Sequence, residues 1–173
     1  MIAHEKMQEF PRESRSGPYR SSNCQPTLSE RNRLLFMDDE KIVRDVVSAI
    51  LGSAGFRVTT AETGEETLDA FRKARDANDP FYVVLLDLNV PGSLDGKETA
   101  QLLREIDPGV SIILVTGSTN DPVFTEFFSY GFQYALAKPF TSQQLIQAVT
   151  ACFVKSAPQD AVSPSLRHQD LGR

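Results

Sequence analysis

Several polar residues stand directly after short apolar runs. Asp38 and Asp39 follow Leu34-Leu35-Phe36-Met37, Asp87 follows Tyr82-Val83-Val84-Leu85-Leu86, Thr116 follows Ile112-Ile113-Leu114-Val115, and Lys138 follows Ala135-Leu136-Ala137. Three carboxylates brought together repel, and each raises the others' pKa unless a cation lies among them. Mg²⁺ is the natural partner, being held by one or two carboxylates with water and phosphate oxygens. Lys138 adds a positive point charge able to pair with Asp87 or with a phosphoryl oxygen, and Thr116 adds a hydroxyl donor. A carboxylate nucleophile, a hard cation and a lysine together describe formation of an aspartyl phosphate. The protein's part in such chemistry is mostly positioning and charge neutralisation. Taken singly, each residue has a plainer explanation. An Asp after a strand is usually a loop residue or a helix N-cap, and an acidic run before a helix suits its dipole. The recurrence at successive strand ends is what points to a site.

The elements that must hold these residues alternate along the chain. Ile42, Val43, Val46, Val47, Ile50 and Leu51 recur at helical spacing, and Gly55 stands where a helix would end. Residues 56–60 read as a second strand and 63–77 as a helix. The unbroken apolar run at 82–86 predicts a strand buried on both faces. Helices are expected at 97–106, 122–130 and 142–154, and strands at 112–115 and 133–137. Five strands alternating with five helices demand a parallel sheet covered on both faces by right-handed crossovers. Ligands then sit beyond the carboxyl ends of the strands, where all the polar residues above would converge.

Composition narrows the function classes. The 173 residues suit one domain of ordinary size. A net charge of −5 argues against a sequence-independent grip on DNA. The apolar runs fall well short of the ~20 residues of a membrane helix. Residues 1–31 carry Pro11, Pro18 and Pro26 among polar residues and read as a disordered arm without a signal-peptide core. Residues 156–173 read as a disordered tail, leaving a domain over 32–155. Cys24 and Cys152 show no metal or redox spacing and suit a reducing, cytoplasmic setting. His4 and His168 lie in the two tails, so the chain is expected to receive phosphoryl groups rather than to originate them.

Taken together, these motifs resemble response-regulator receiver domains of two-component signalling, and in part the receiver modules of hybrid sensor histidine kinases. Leu35-Phe36-Met37-Asp38-Asp39-Glu40 is similar to the family's opening strand and acidic pair. Val84-Leu85-Leu86-Asp87-Leu88-Asn89-Val90-Pro91 is similar to its phosphoacceptor strand. Val115-Thr116-Gly117 and Ala137-Lys138-Pro139-Phe140 are similar to its switch-threonine and lysine-proline motifs. The match runs from about Arg33 to Phe153. The resemblance implies a flavodoxin-like doubly wound (βα)5 fold with a five-stranded parallel sheet. It implies a phosphorelay protein rather than an enzyme, with Asp87 phosphorylated by a histidine kinase or histidine phosphotransfer protein. Mg²⁺ would be held by Asp39, Asp87 and the backbone carbonyl of Asn89, with Asp38 acting through water. Thr116 and Lys138 would contact the phosphoryl group, and the Lys138–Pro139 bond would be cis. The signal would leave through contact with a downstream protein, since no DNA-binding segment is read after Val154. A homodimer through the face of the fourth and fifth helices is a further implication.

Two departures stand out. The stretch Pro91-Gly92-Ser93-Leu94-Asp95-Gly96 carries one residue more than the family's loop. Ala135 stands where the family places Tyr or Phe, so either Tyr134 or Phe132 takes over that ring's movement or the switch is relayed otherwise. These departures keep a rival open: an adaptor that works without phosphorylation. A metal-dependent phosphatase is a weaker third reading, because Asn89 stands where a second acid is usual. Gly92-Ser93-Leu94-Asp95-Gly96-Lys97-Glu98 lacks the spacing of a phosphate-binding P-loop and reads as a loop opening a helix. Phe124, Phe127 and Phe128 read as core packing, or as a partner surface with Phe124 and Phe128 on one side.

Overall fold

A computed structural model describes residues 32–155. The expected arm at 1–31 and tail at 156–173, with Cys24, His4 and His168, lie outside the described residues. Strands β1 (Arg33–Met37), β2 (Arg57–Ala61), β3 (Val83–Asp87), β4 (Ser111–Thr116) and β5 (Tyr134–Ala137) form one sheet in the order β2-β1-β3-β4-β5. All four pairings are parallel. Four helices follow the apolar periodicity: α1 (Lys41–Ser53), α2 (Gly64–Asp76), α3 (Gly96–Ile106) and α5 (Ser142–Lys155). A short α4 (Pro122–Thr125) precedes β5. Among the described residues no helix is long and apolar enough to cross a membrane.

Two apolar cores cover the two faces of the sheet. Strand alternation sends Leu35, Met37, Val84, Leu86, Ile112 and Leu114 to one face, against Leu68 and Phe71 of α2 and Ala100 and Leu103 of α3. It sends Leu34, Phe36, Val83, Leu85, Ile113 and Val115 to the other, against Val47 and Leu51 of α1 and Leu145, Val149 and Cys152 of α5. Every residue of β3 is buried, as its unbroken apolar run requires.

The helix starts follow local chemistry. Thr63 accepts from the N–H of Glu66 at the head of α2, and Asp95 forms a reciprocal capping box with Glu98 at the head of α3. At the end of α1, Gly55 adopts a φ of 91° that favours glycine, and Phe56 N–H returns to the Leu51 carbonyl at 3.0 Å.

The continuous helix expected over 122–130 is not formed. Asp121 caps α4 and Pro122 opens it, but regular turns stop at Thr125. A 3₁₀ turn over Phe127–Tyr130 follows. Proline is at home only in a first turn, and Val123, Phe124, Thr125, Phe127 and Phe128 are all weak helix formers. The turn closes with Phe132 N–H on the Phe127 carbonyl and Gly131 N–H on the Phe128 carbonyl, each at 3.1 Å. The break separates Phe124 from Phe128. Phe124 and Phe127 pack on the core, whereas Phe128 stands exposed, so the aromatic pair expected on one side is divided.

Candidate functional site

The strand ends are held level by amides that extend the sheet ladder. Asp38 N–H donates to the Ala61 carbonyl at 3.2 Å, Leu88 N–H to Val115 at 3.2 Å, and Lys138 N–H to Thr116 at 2.8 Å. Residues far apart in sequence therefore meet on one rim. Asp38, Asp39 and Asp87 bring carboxylate oxygens within 4.8 Å of one another. Lys138 Nζ reaches Asp38 Oδ2 at 2.7 Å and Asp87 Oδ2 at 2.6 Å. The remaining oxygens of those two acids accept backbone N–H groups, Asp38 Oδ1 from Glu40 at 3.0 Å and Asp87 Oδ1 from Asn89 at 3.3 Å. The Lys138–Pro139 bond is cis.

Burial decides the electrostatics. It pushes the Asp87 carboxyl above its ordinary range, opposed by the Lys138 ammonium and the Asn89 N–H. Burial also presses on Lys138, but the carboxylates of Asp38 and Asp87 outweigh it and hold the ammonium above its ordinary range. Three carboxylates meet here and Lys138 pairs with two of them, Asp38 and Asp87, so the rim presents a cluster of carboxylate oxygens. That donor set fits a hard divalent cation such as Mg²⁺.

Thr116 is fully buried, and its Oγ1 accepts the N–H of Ser118 at 3.0 Å. Asn89 Nδ2 donates to Ser118 Oγ at 3.2 Å, joining the loop after β3 to the loop after β4. Sequence reasoning missed Ser118, since its only signal was its place two residues after Thr116.

The longer loop after β3 is fastened to α2. Ser93 Oγ accepts the Gly64 N–H at 3.0 Å and donates to Glu65 Oε2 at 2.6 Å, while Leu94 N–H reaches Glu65 Oε1 at 3.3 Å. The Ser93 hydroxyl, with the backbone amides around Glu65, holds that exposed carboxyl below its ordinary range. Ser93→Ala is therefore expected to speed amide hydrogen exchange at Gly64 and Leu94 several-fold while the exchange of β3 stays as it was. Unchanged exchange at both amides would show that the fastening does not hold the loop.

Within β5, Ala135 packs on the core on the α3 side of the sheet, and Phe132, just before the strand, is already buried there. Tyr134, on the alternate face, is 39% exposed.

The fold and the site together define a doubly wound α/β domain with an acid cluster and a lysine at its carboxyl rim. The family model for the response regulator receiver domain matches residues 34–150. The chain belongs to that family. Among curated relatives, the alkaline phosphatase synthesis transcriptional regulatory protein SphR of Synechococcus elongatus is 29% identical over 151 residues, covering 84% of this chain and 58% of its own length. The response regulator GacA of Pseudomonas protegens is 32% identical over 139 residues, covering 79% and 61% respectively. The chain thus spans about three fifths of the length of these relatives. Among solved structures, the receiver domain of NtrX from Brucella abortus has a TM-score of 0.64 at 27% identity, covering 71% of this chain and 99% of that one. The response regulator TrrA from Thermotoga maritima, solved in complex with Mg²⁺ and BeF, has a TM-score of 0.62 at 28% identity, covering 70% and 98%.

Proposed function

We propose that Asp87 accepts a phosphoryl group from a phosphohistidine on a histidine kinase or phosphotransfer protein, and that the phosphorylated domain signals by contact with a downstream protein. The observation that carries this reading is the meeting of three carboxylates with Lys138 bridging Asp38 and Asp87. An Asp87 carboxylate oxygen attacks phosphorus. The P–N bond of the phosphohistidine breaks, its electrons return to the imidazole, and an acyl phosphate forms. Asp39, Asp87 and the Asn89 carbonyl would hold Mg²⁺, with Asp38 assisting through water. Bound there, Mg²⁺ supplies neutralisation of charge on the phosphoryl oxygens. Lys138, already within 2.6 Å of Asp87, would move its ammonium onto a phosphoryl oxygen. Thr116 would turn its hydroxyl toward the phosphoryl group, giving up the Ser118 N–H. Ile42 and Val46 stand exposed on α1, which starts just after Asp39, and offer apolar contact to an arriving donor.

Intact mass after incubation with Mg²⁺ and acetyl phosphate tests the reading. The wild type is expected to gain one phosphoryl group, and Asp87→Ala or omission of Mg²⁺ to abolish the gain. No adduct with either acetyl phosphate or a phosphorylated histidine protein would favour an adaptor that works without phosphorylation.

A further inference from the structure

We infer that Arg44 is a positioning residue for the acidic pair, fixing the peptide units from which Asp38 and Asp39 project. Its Nη1 donates to the Asp38 carbonyl at 2.7 Å and to the Asp39 carbonyl at 2.9 Å, and its Nη2 reaches Glu62 Oε2 at 3.2 Å. The side chain is only 13% exposed. Its position is otherwise unfavourable. The first turn of α1 holds no acid, and Glu40 gives that end no side-chain cap. A cation near a helix N-terminus opposes the helix dipole. What offsets this is outside the helix: two carbonyls of the acidic pair, and the Glu62 carboxylate of the loop after β2. The guanidinium is a planar fork, so it sets direction as well as charge. The loop from Asp38 to Glu40 is thereby gripped from behind by Arg44, while the Asp38 carboxylate is gripped in front by Lys138.

The inference rests on the reading of Asp39 as a metal ligand, and geometry and charge predict opposite signs for its test. If Arg44 acts only as a charge, Arg44→Met removes a cation beside the acids and Mg²⁺ binds more tightly. If Arg44 positions the pair, Arg44→Met binds Mg²⁺ more weakly, by roughly tenfold, as when a group that orients a metal ligand is removed. Arg44→Lys keeps the charge without the rigid fork and should also weaken binding. Glu62→Gln leaves the carbonyl contacts in place and should stay within about twofold of wild type, because an exposed ion pair contributes little.

The measurement is Mg²⁺ titration followed by the amide resonances of Asp39 and Glu40, which reads affinity and local geometry without requiring phosphorylation. Weaker binding in Arg44→Met and Arg44→Lys, with those resonances displaced before metal is added, is the expected result. Wild-type or tighter binding in Arg44→Met overturns the inference. Should Arg44→Met fail to fold, Arg44→Lys decides alone: loss of affinity supports positioning, and wild-type affinity overturns it. Absence of Mg²⁺ binding in the wild type is a different failure, which overturns the metal reading itself.

Discussion

Lys138→Met is expected to lose about 3 kcal/mol of stability and to gain affinity for Mg²⁺. The ammonium stands 2.7 Å from Asp38 and 2.6 Å from Asp87, and the Asp38 side chain is fully buried. Removing one partner of a buried pair leaves an uncompensated charge, which costs several kcal/mol. Here two carboxylates lose the same cation. Lys138 is itself 19% exposed, so water screens part of the effect and the lower end of the usual range applies. Urea denaturation at unchanged m-value measures the loss. A divalent cation would stand in for the missing ammonium, so Mg²⁺ should raise the variant's midpoint more than the wild type's. Lys138→Met combined with Asp87→Asn should recover part of the loss, because one fewer carboxylate remains uncompensated. A variant as stable as wild type, with no greater response to Mg²⁺, would show that the lysine adds nothing net to the folded state.

The second large effect comes from a hydrogen. Gly96 opens α3 with its Cα against the end of β3. A methyl group there would stand 2.3 Å from the Asp87 carbonyl oxygen and 3.0 Å from Leu88 Cα, both backbone atoms. Gly96 N–H also donates to the Leu88 carbonyl at 3.1 Å, so the approach is held from both sides. Gly96→Ala must push α3 outward or bend the strand at Asp87. It should cost about 3 kcal/mol, the upper part of the overpacking range, since no flexible side chain can yield. It should also slow phosphorylation of the fraction that stays folded, because the displaced peptide is the one that carries Asp87. Gly52→Ala is the contrast: nothing lies within 4 Å of its added methyl inside α1. That variant should gain roughly 0.5–1 kcal/mol from reduced backbone freedom. Paired thermal unfolding curves check both signs, and wild-type stability and phosphorylation in Gly96→Ala would refute the account of the close approach.

The elements were legible in the sequence where periodicity was strong. The run at 82–86 read as a strand buried on both faces, and β3 over Val83–Asp87 is that strand, while the polar residues after the apolar runs were expected on the carboxyl rim, where Asp38, Asp39, Asp87 and Lys138 meet. Gly55 marked the end of α1 correctly. The segment after Asp121 was misread because apolar spacing resembled a helix, while Pro122 and the β-branched and aromatic residues after it favoured only short turns. Contacts between loops left no trace in spacing. Nothing in the spacing marks Arg44, whose guanidinium lies on two carbonyls, or Ser118, whose hydroxyl accepts from Asn89. The additional residue after β3 was visible as a length, but its fastening to Glu65 depended on α2 starting beside it. The alanine at position 135 was visible as a departure, yet only packing shows Phe132 already filling the interior and Tyr134 turned outward.

The sheet order also bears on behaviour at high concentration. An open sheet exposes unpaired N–H and C=O groups along both borders, and these could recruit the border of another chain. One border here is β5, four residues long and closed off by Pro139 soon after its end. The other is β2, five residues long, which begins at Arg57, whose guanidinium pairs with Asp79. Short borders, one marked by charge and the other by proline, give a second molecule little length on which to zip. The fully buried strands that could support such stacking, β3 and β4, lie inside the sheet with a partner on each side.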